Sequence, residues 1–357
     1  MENEDSFVRK DGIHPNQHRN KRNDQKNLKE LKLTIETVKD CQHEGIIGRN
    51  WSLVALKNSK SFLIGTNRKG VLLVEDEIQV FRGQLPVFNK PLKGIVYIPT
   101  LNSYFLIHDS NLYRKDINNK PPYLFLKINL YYGVGTSLAY SKINQRLIMA
   151  NKQQNLLMFN FKRKKIEVQI NHFMGRNFRL LGAKEDRVVC VTWDGHVLLY
   201  SLNCSKKRGI TAFFQVELNV RRKEFGGCVA VCDKHELIFV GIGNSDSFLA
   251  SRILVLKANE DKLANTASFD CYSEKIGLSY FLECLGYFGT SVLCIGMSYA
   301  ENGMVHVYEY DTETEELKDL EDKRVQHQEY CTLQLQRLND RFYYTGFNGL
   351  LMSLKAE

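Results

Sequence analysis

The chain repeats one unit seven times: an apolar run that ends in a small or polar residue, a turn, then a second apolar run. The first copy is Phe62-Leu63-Ile64-Gly65, a link from Thr66 to Gly70, and Val71-Leu72-Leu73-Val74. The last is Tyr343-Tyr344-Thr345-Gly346, a turn at Asn348-Gly349, and Leu350-Leu351-Met352. The residues that close the first run are Gly65, His108, Ala150, Thr192, Gly241, Gly296 and Gly346. They fall at intervals of 43, 42, 42, 49, 55 and 50 residues. A period of that length, made of strand-like runs and turns with no helical stretch, predicts sheets of four strands repeated around an axis.

Each of these runs is a second strand and has a first strand upstream. The first strands are read at 51–56, 94–98, 136–140, 178–182, 228–232, 281–285 and 332–338. Third strands follow the turns at 71–74, 112–113, 156–159, 197–200, 253–256, 305–308 and 350–354. Fourth strands are read at 78–81, 123–128, 166–170, 211–216 and 264–269. The sixth, at 317–324, is poor because it is mostly charged. The seventh unit has no fourth strand before Glu357. Upstream of the first unit, Leu31-Lys32-Leu33-Thr34-Ile35-Glu36-Thr37-Val38 alternates apolar with polar for most of its length, the period of a half-buried strand. That orphan strand supplies the missing one and removes a sheet edge. The expected fold is therefore all-β: a seven-bladed β-propeller of four-stranded antiparallel blades, with the N-terminal strand completing the last blade. First and second strands should be buried on both faces, which explains unbroken runs such as Val188–Val191 and Leu237–Val240.

In Thr192-Trp193-Asp194-Gly195-His196-Val197 and in Gly346-Phe347-Asn348-Gly349-Leu350-Leu351, an Asp-Gly or Asn-Gly hairpin turn joins two apolar runs. This pattern resembles WD40 repeats, and the resemblance spans residues 31–357 in period. The Gly-His that precedes each first strand in that family is missing. The closing Trp-Asp is replaced by pairs such as Val74-Glu75 and Tyr200-Ser201, and the one Trp-Asp, Trp193-Asp194, sits in a turn. The chain thus looks like a diverged WD40-like propeller with no subfamily assigned. Propellers that bind phosphoinositides carry a Phe/Leu-Arg-Arg-Gly motif, which Val220-Arg221-Arg222-Lys223 matches in two positions only.

Residues 1–30 are polar and hold seven Lys/Arg against six Asp/Glu. That is a mixed-charge tail, expected to be disordered, and not a polybasic arm. Residues 31–357 form the propeller. No run approaches the length of a membrane span, and the first residues do not read as a signal peptide. Most of the nine cysteines lie inside apolar runs, as in Val-Val-Cys190-Val and Val-Leu-Cys294-Ile. Reduced, buried thiols place the chain in the cytoplasm, with the nucleus as the alternative. Cys228 and Cys232 are about 13 Å apart along a strand, too far to share a metal, and no Cys-x-x-Cys occurs. No cofactor and no metal are expected.

His108-Asp109-Ser110 has the residue types of a hydrolase triad, but adjacent residues cannot converge as a triad does. Gly241-Ile242-Gly243-Asn244 resembles the start of a dinucleotide loop; with no helix after it, it is read as a flexible loop between second and third strands. The acidic run from Asp311 to Asp322 lacks the calcium-loop spacing and glycine, and reads as a solvated hairpin. An enzyme would need acid or base groups on the first strands, which offer Glu283 and little else. No catalytic residue is assigned.

Charge carries the remaining signal. The net charge of +9 is modest for 357 residues. Lys162-Arg163-Lys164-Lys165 and Lys206-Lys207-Arg208 sit on third-to-fourth hairpins of consecutive blades, on one face of the ring. The acidic hairpins Glu75-Asp76-Glu77 and Thr312–Glu316 lie across that face. The other face carries Arg68, Lys69, Tyr131, Tyr132, Arg176, Arg221, Arg222 and Lys223, and Tyr and Arg are good interface anchors. The expected function is a non-catalytic scaffold that binds other proteins, in a larger complex, through these face loops. The alternative is a binder of an anionic surface, RNA or a phosphoinositide membrane, through the basic hairpins of blades 3 and 4.

Overall fold

Valine, isoleucine, leucine and aromatic residues in runs too short for helices favour the extended chain when both faces can be covered. The computed structural model describes residues 31–40, 50–55, 62–66, 71–74, 78–80, 94–108, 111–116, 123–127, 138–150, 156–170, 175–181, 187–192, 196–201, 213–217, 224–244, 250–258, 263–270, 279–288, 290–298, 304–326, 331–338, 341–346 and 350–356. Their strands form seven antiparallel sheets.

Strand β1 (Leu33–Asp40) stands first. Blade 1 holds β2 (Asn50–Ala55), β3 (Phe62–Thr66), β4 (Val71–Val74) and β5 (Ile78–Val80). Blade 2 holds β6 (Gly94–Ile98), β7 (Ser103–His108), β8 (Asn111–Asp116) and β9 (Tyr123–Leu126). Blade 3 holds β10 (Leu138–Ser141), β11 (Arg146–Ala150), β12 (Leu156–Asn160) and β13 (Lys165–Ile170). Blade 4 holds β14 (Gly175–Leu181), β15 (Arg187–Thr192), β16 (His196–Ser201) and β17 (Phe213–Glu217). Blade 5 holds β18 (Glu224–Cys232), β19 (Leu237–Asn244), β20 (Ala250–Ala258) and β21 (Leu263–Asp270). Blade 6 holds β22 (Ser279–Phe288), β23 (Ser291–Ser298), β24 (Met304–Asp311), β25 (Glu316–Asp319) and β26 (Val325–Gln326). Blade 7 holds β27 (Cys331–Leu338), β28 (Arg341–Gly346) and β29 (Leu350–Ala356).

β1 pairs with β29, so the first strand of the chain is the fourth strand of blade 7. The first strands β2, β6, β10, β14, β18, β22 and β27 pack each against the next, and β27 returns to β2. The ring is closed. The register of β1 slips between Thr37 and Lys39, which leaves Val38 as an extra residue pointing outward. The slip coincides with the point where the apolar alternation of β1 changes phase.

The core consists of layers between blades. One layer joins Ile98, Phe105 and Leu112 of blade 2 to Leu147, Met149 and Leu157 of blade 3. Another joins Val189, Val191 and Leu199 of blade 4 to Val240, Ile242 and Leu254 of blade 5. A third joins Phe239 and Val255 of blade 5 to Cys294, Tyr308 and Tyr310 of blade 6. Each fully buried aliphatic or aromatic side chain in these layers contributes about 1.5–3 kcal/mol of transfer free energy.

Three expectations need correction. Second and third strands, not first and second, are the continuously buried ones: β11, β12, β15, β16, β19 and β24 are buried along almost their whole described length. Among the described side chains, the first strands β6, β10 and β14 are buried at two of four positions each, whereas β18 is buried at four of five. Gly241–Asn244 is not a loop. It is the end of β19, paired to Glu224–Cys228 on one side and reaching Ala250 on the other. Blade 6 does have a fourth strand, in two pieces: β25 and β26 both pair with β24 and are separated by a 3-10 turn at Glu321–Lys323.

Candidate docking surface

The lower face carries the links from first to second strand and from third to fourth strand. Its described four-residue turns, at 99–102, 142–145, 161–164, 233–236 and 312–315, share one geometry. The last residue of each is left-handed and none is glycine: Asn102, Gln145, Lys164, Glu236 and Glu315, with φ between 46° and 56°. Such residues cost of order 1 kcal/mol each, so something must hold them. Ser141, Asn160 and Asp311, each placed just before its turn, accept the backbone N–H three residues on: Asn144 at 3.1 Å, Arg163 at 3.0 Å and Thr314 at 3.1 Å. This Ser/Asn/Asp before the turn is the sequence signal for these hairpins, and glycine counting misses it.

Above the turns, charged groups tie the outer strands together. In blade 2 the Arg114 guanidinium donates to Asp116 at 2.8 Å, and the Ser103 hydroxyl donates to the same oxygen at 2.6 Å. The Ser103 hydrogen bond, helped by Arg114, holds the Asp116 carboxyl below its ordinary pKa. In blade 3 Glu167 is nearly buried and accepts from Arg146 at 3.0 Å, with Arg163 at 3.1 Å. Burial pushes its pKa up, but bonds from Asn160 and Arg146 and the two guanidinium charges outweigh burial and leave it lowered. Arg187 of blade 4 pairs with Glu236 of blade 5 and so joins neighbouring blades. In blade 6 the Ser291 hydroxyl donates to Glu309 at 2.5 Å, while Lys318 lies 3.2 Å from the same carboxylate. In blade 7 Arg341 donates to Glu36 of β1 at 2.6 Å.

The lower rim of blades 2 and 3 differs from the rest. Large apolar side chains are exposed there: Ile143 at 60%, Leu124 at 48%, Tyr123 at 47% and Ile166 at 36%. Among the described residues only Val38 is another of this kind, so the exposure is concentrated. Phe125, next to Leu124, packs on Phe159 and Phe161 with ring centroids 5.3 and 6.2 Å away. Phe161 also reaches Tyr140, 6.2 Å off. The fourth strand of blade 2 therefore lies against the 161–164 turn of blade 3, which brings the two blades that carry the exposed side chains together. Lys162, Arg163, Lys164 and Lys165 project from that turn, exposed, and Lys142 flanks Ile143. Three blades further around the same face, Glu313, Glu315 and Glu316 are exposed on the blade 6 hairpin.

Lys162–Lys165 thus lie on the hairpin read from the sequence, with Lys165 opening β13 and Arg163 held to Glu167. Arg176 lies within β14, not in a turn: β15 runs on to Thr192, so pairing continues through Gly175 and Asn177, with Arg176 at the register slip. Arg68, Lys69, Tyr131, Tyr132, Lys206, Lys207, Arg208, Arg221, Arg222 and Lys223 lie outside the described residues, as do Glu75-Asp76-Glu77, Asp109-Ser110 and Trp193-Asp194-Gly195. His108 ends β7 and pairs with Asn111 of β8, as a hairpin requires. The apolar half of the rim escaped sequence reading because Tyr123, Leu124 and Ile166 sit in runs that look like any other strand.

Among the described residues no three His, Cys, Asp or Glu side chains are grouped to hold a metal ion. Among them, too, no helix is long and apolar enough to cross a membrane. No family model matches the chain, and no curated protein matches it. Solved structures do. The structure of U3-55K superposes with a TM-score of 0.64 at 8% identity, over 90% of this chain and 98% of that one. The RRP9 WD40 repeats give 0.65 at 8% identity, over 90% and 97%. BBS1N, solved in complex with ARL6DN, gives 0.62 at 12% identity, over 91% and 97%. At these identities the likeness is one of fold.

Proposed function

We propose that the chain, a β-propeller similar in fold to solved WD40 structures, acts as a non-catalytic, cytoplasmic scaffold that binds other proteins through the lower rim of blades 2 and 3. The observation that carries this reading is the joint exposure of Tyr123, Leu124, Ile143 and Ile166 beside Lys142, Lys162, Lys164 and Lys165. Scattered apolar residues need no explanation, but four exposed on two adjoining blades, beside several cations, have the composition of an interface. The partner it fits is an acidic protein segment with apolar anchors. Its carboxylates meet the lysines, which raises the association rate, and its apolar side chains displace water from the rim. The rigid ring beneath supplies preorganisation at little entropic cost. Cys190, Cys228, Cys232, Cys284 and Cys294, all buried and unbridged, accord with a cytoplasmic location.

The test compares three tagged chains for the proteins they capture. One is unaltered, one carries Lys162→Glu, Lys164→Glu and Lys165→Glu with Ile143→Asp, and one carries Arg221→Glu and Arg222→Glu, which the sequence pattern assigns to the other face. Loss of specific partners from the lower-rim variant alone, with binding that weakens as salt rises, is the expected result. Loss from the Arg221/Arg222 variant alone would move the interface to the upper face. Capture abolished by nuclease would replace the protein partner with RNA.

A further inference from the structure

Cys232 is the last residue of β18 and Cys284 lies in β22, the packed first strands of blades 5 and 6. Both belong to the layer between those blades. Their thiols are within hydrogen-bonding reach of each other, and the backbone N–H groups of Lys234 and His235, in the turn that follows β18, also point to the Cys232 sulfur. The remaining described thiols are placed differently. Cys190 and Cys294 are fully buried and Cys228 is 1% exposed, whereas Cys232 and Cys284 keep 5% and 7%. Cys294, the cross-strand neighbour of Cys284, directs its thiol to the Ile295 carbonyl, 3.8 Å away. Cys232 and Cys284 thus lie in one layer between packed first strands of adjacent blades, with Cys232 just before the turn at 233–236.

We propose that Cys232 and Cys284 are an oxidation site, which a peroxide converts to a disulfide joining the inner strands of blades 5 and 6. The Cys232 thiolate attacks one peroxide oxygen, the O–O bond breaks, and the other oxygen leaves and is protonated to water. The resulting sulfenic acid is then attacked by the Cys284 sulfur. The S–S bond forms, the S–O bond breaks, and the hydroxyl leaves as water with the Cys284 proton. In sum, two thiols lose two electrons and two protons, and one peroxide becomes two waters. Donation from Cys284, then from the His235 and Lys234 amides, outweighs burial and holds the Cys232 thiol at about 7. At Cys228 burial outweighs the backbone hydrogen bonds of Gly241 and Leu282 and the Arg179 charge, and pushes the thiol up to about 12. Cys232 is therefore the nucleophile and Cys284 the resolving thiol.

The experiment treats the folded full chain with hydrogen peroxide, blocks remaining thiols, and maps disulfides by mass spectrometry without reduction. The expected product is one cross-linked peptide pair containing Cys232 and Cys284. It should be reversed by dithiothreitol, should form several-fold faster at pH 8 than at pH 6, and should raise the melting temperature. In Cys284→Ser, a dimedone adduct should accumulate on Cys232. Both thiols remaining alkylatable after treatment, a bridge mapped to another pair such as Cys284 with Cys294, or a bridge seen only in denaturant would each overturn the proposal. The decisive arm uses the unaltered chain, so a variant that fails to fold does not weaken the test.

Discussion

Gly241 shows what a single position in a layered β core is required to do. It lies opposite Cys228 in the ladder between β18 and β19, and a Cβ built on it would stand 2.6 Å from the Cys228 sulfur. Toward Leu282 of blade 6 the nearest atom would be 3.6 Å away, an ordinary contact, so the constraint comes from the Cys228 sulfur. Glycine is there for space, and the turn chemistry expected from the sequence plays no part. Gly241→Ala is predicted to cost about 1–3 kcal/mol by overpacking, read as a lower urea midpoint. Adding Cys228→Ala removes the clashing sulfur and should return part of that loss. If the two changes simply add, the steric account is wrong. The glycine was visible in the sequence, but its reason was not, because the partner sulfur comes from another strand and the neighbouring wall from another blade.

At the scale of one element, the split fourth strand of blade 6 turns on Asp319. Its carboxylate accepts from the Arg324 guanidinium at 3.1 Å and sits 3.1 Å from His306 Nδ1. Both Asp319 and His306 are almost entirely buried. Asp319 ends β25, the Leu320 N–H still reaches the Val307 carbonyl, and the 3-10 turn at Glu321–Lys323 then swings Arg324 back onto the carboxylate. Pairing resumes at β26. The charged sequence of this stretch made it a poor strand on paper. Its exposure alternates all the same: Glu316 and Lys318 are exposed, and Leu317 and Asp319 turn inward. Asp319→Ala takes the carboxylate from the buried His306 and from the partly exposed Arg324, which keeps Glu321 at 3.6 Å, and is predicted to cost about 1–3 kcal/mol. Asp319→Asn, which keeps the shape and an acceptor, should cost less. Hydrogen exchange should show protection lost first in β25 and β26. Unchanged exchange there would mean that Asp319 does not hold the element.

For the whole molecule the decisive join is β1 on β29. It buries Leu31 and Leu33 with Leu354 and Val305, and it adds the Arg341–Glu36 pair. Removing residues 1–40 should expose the β29 edge and forfeit about 1.5–3 kcal/mol for each of the two leucines. The predicted outcome is a lower melting temperature and self-association on size exclusion, both reversed by a peptide of residues 31–40 supplied in trans. A truncated chain that melts as the full one does would show that the ring is not held at this seam. The sequence by itself determined the number of blades, the boundaries of most strands to within a few residues, and this closure. Those depend on local apolar pattern and on the order of segments along the chain, which are one-dimensional properties. Only the tertiary structure decided that second and third strands form the deep core and that Gly241–Asn244 is strand. It also brought the exposed apolar residues of blade 2 beside the lysines of blade 3, and Cys232 to Cys284. Each of these is a meeting of side chains from different blades, and no repeat period encodes which faces the ring brings together.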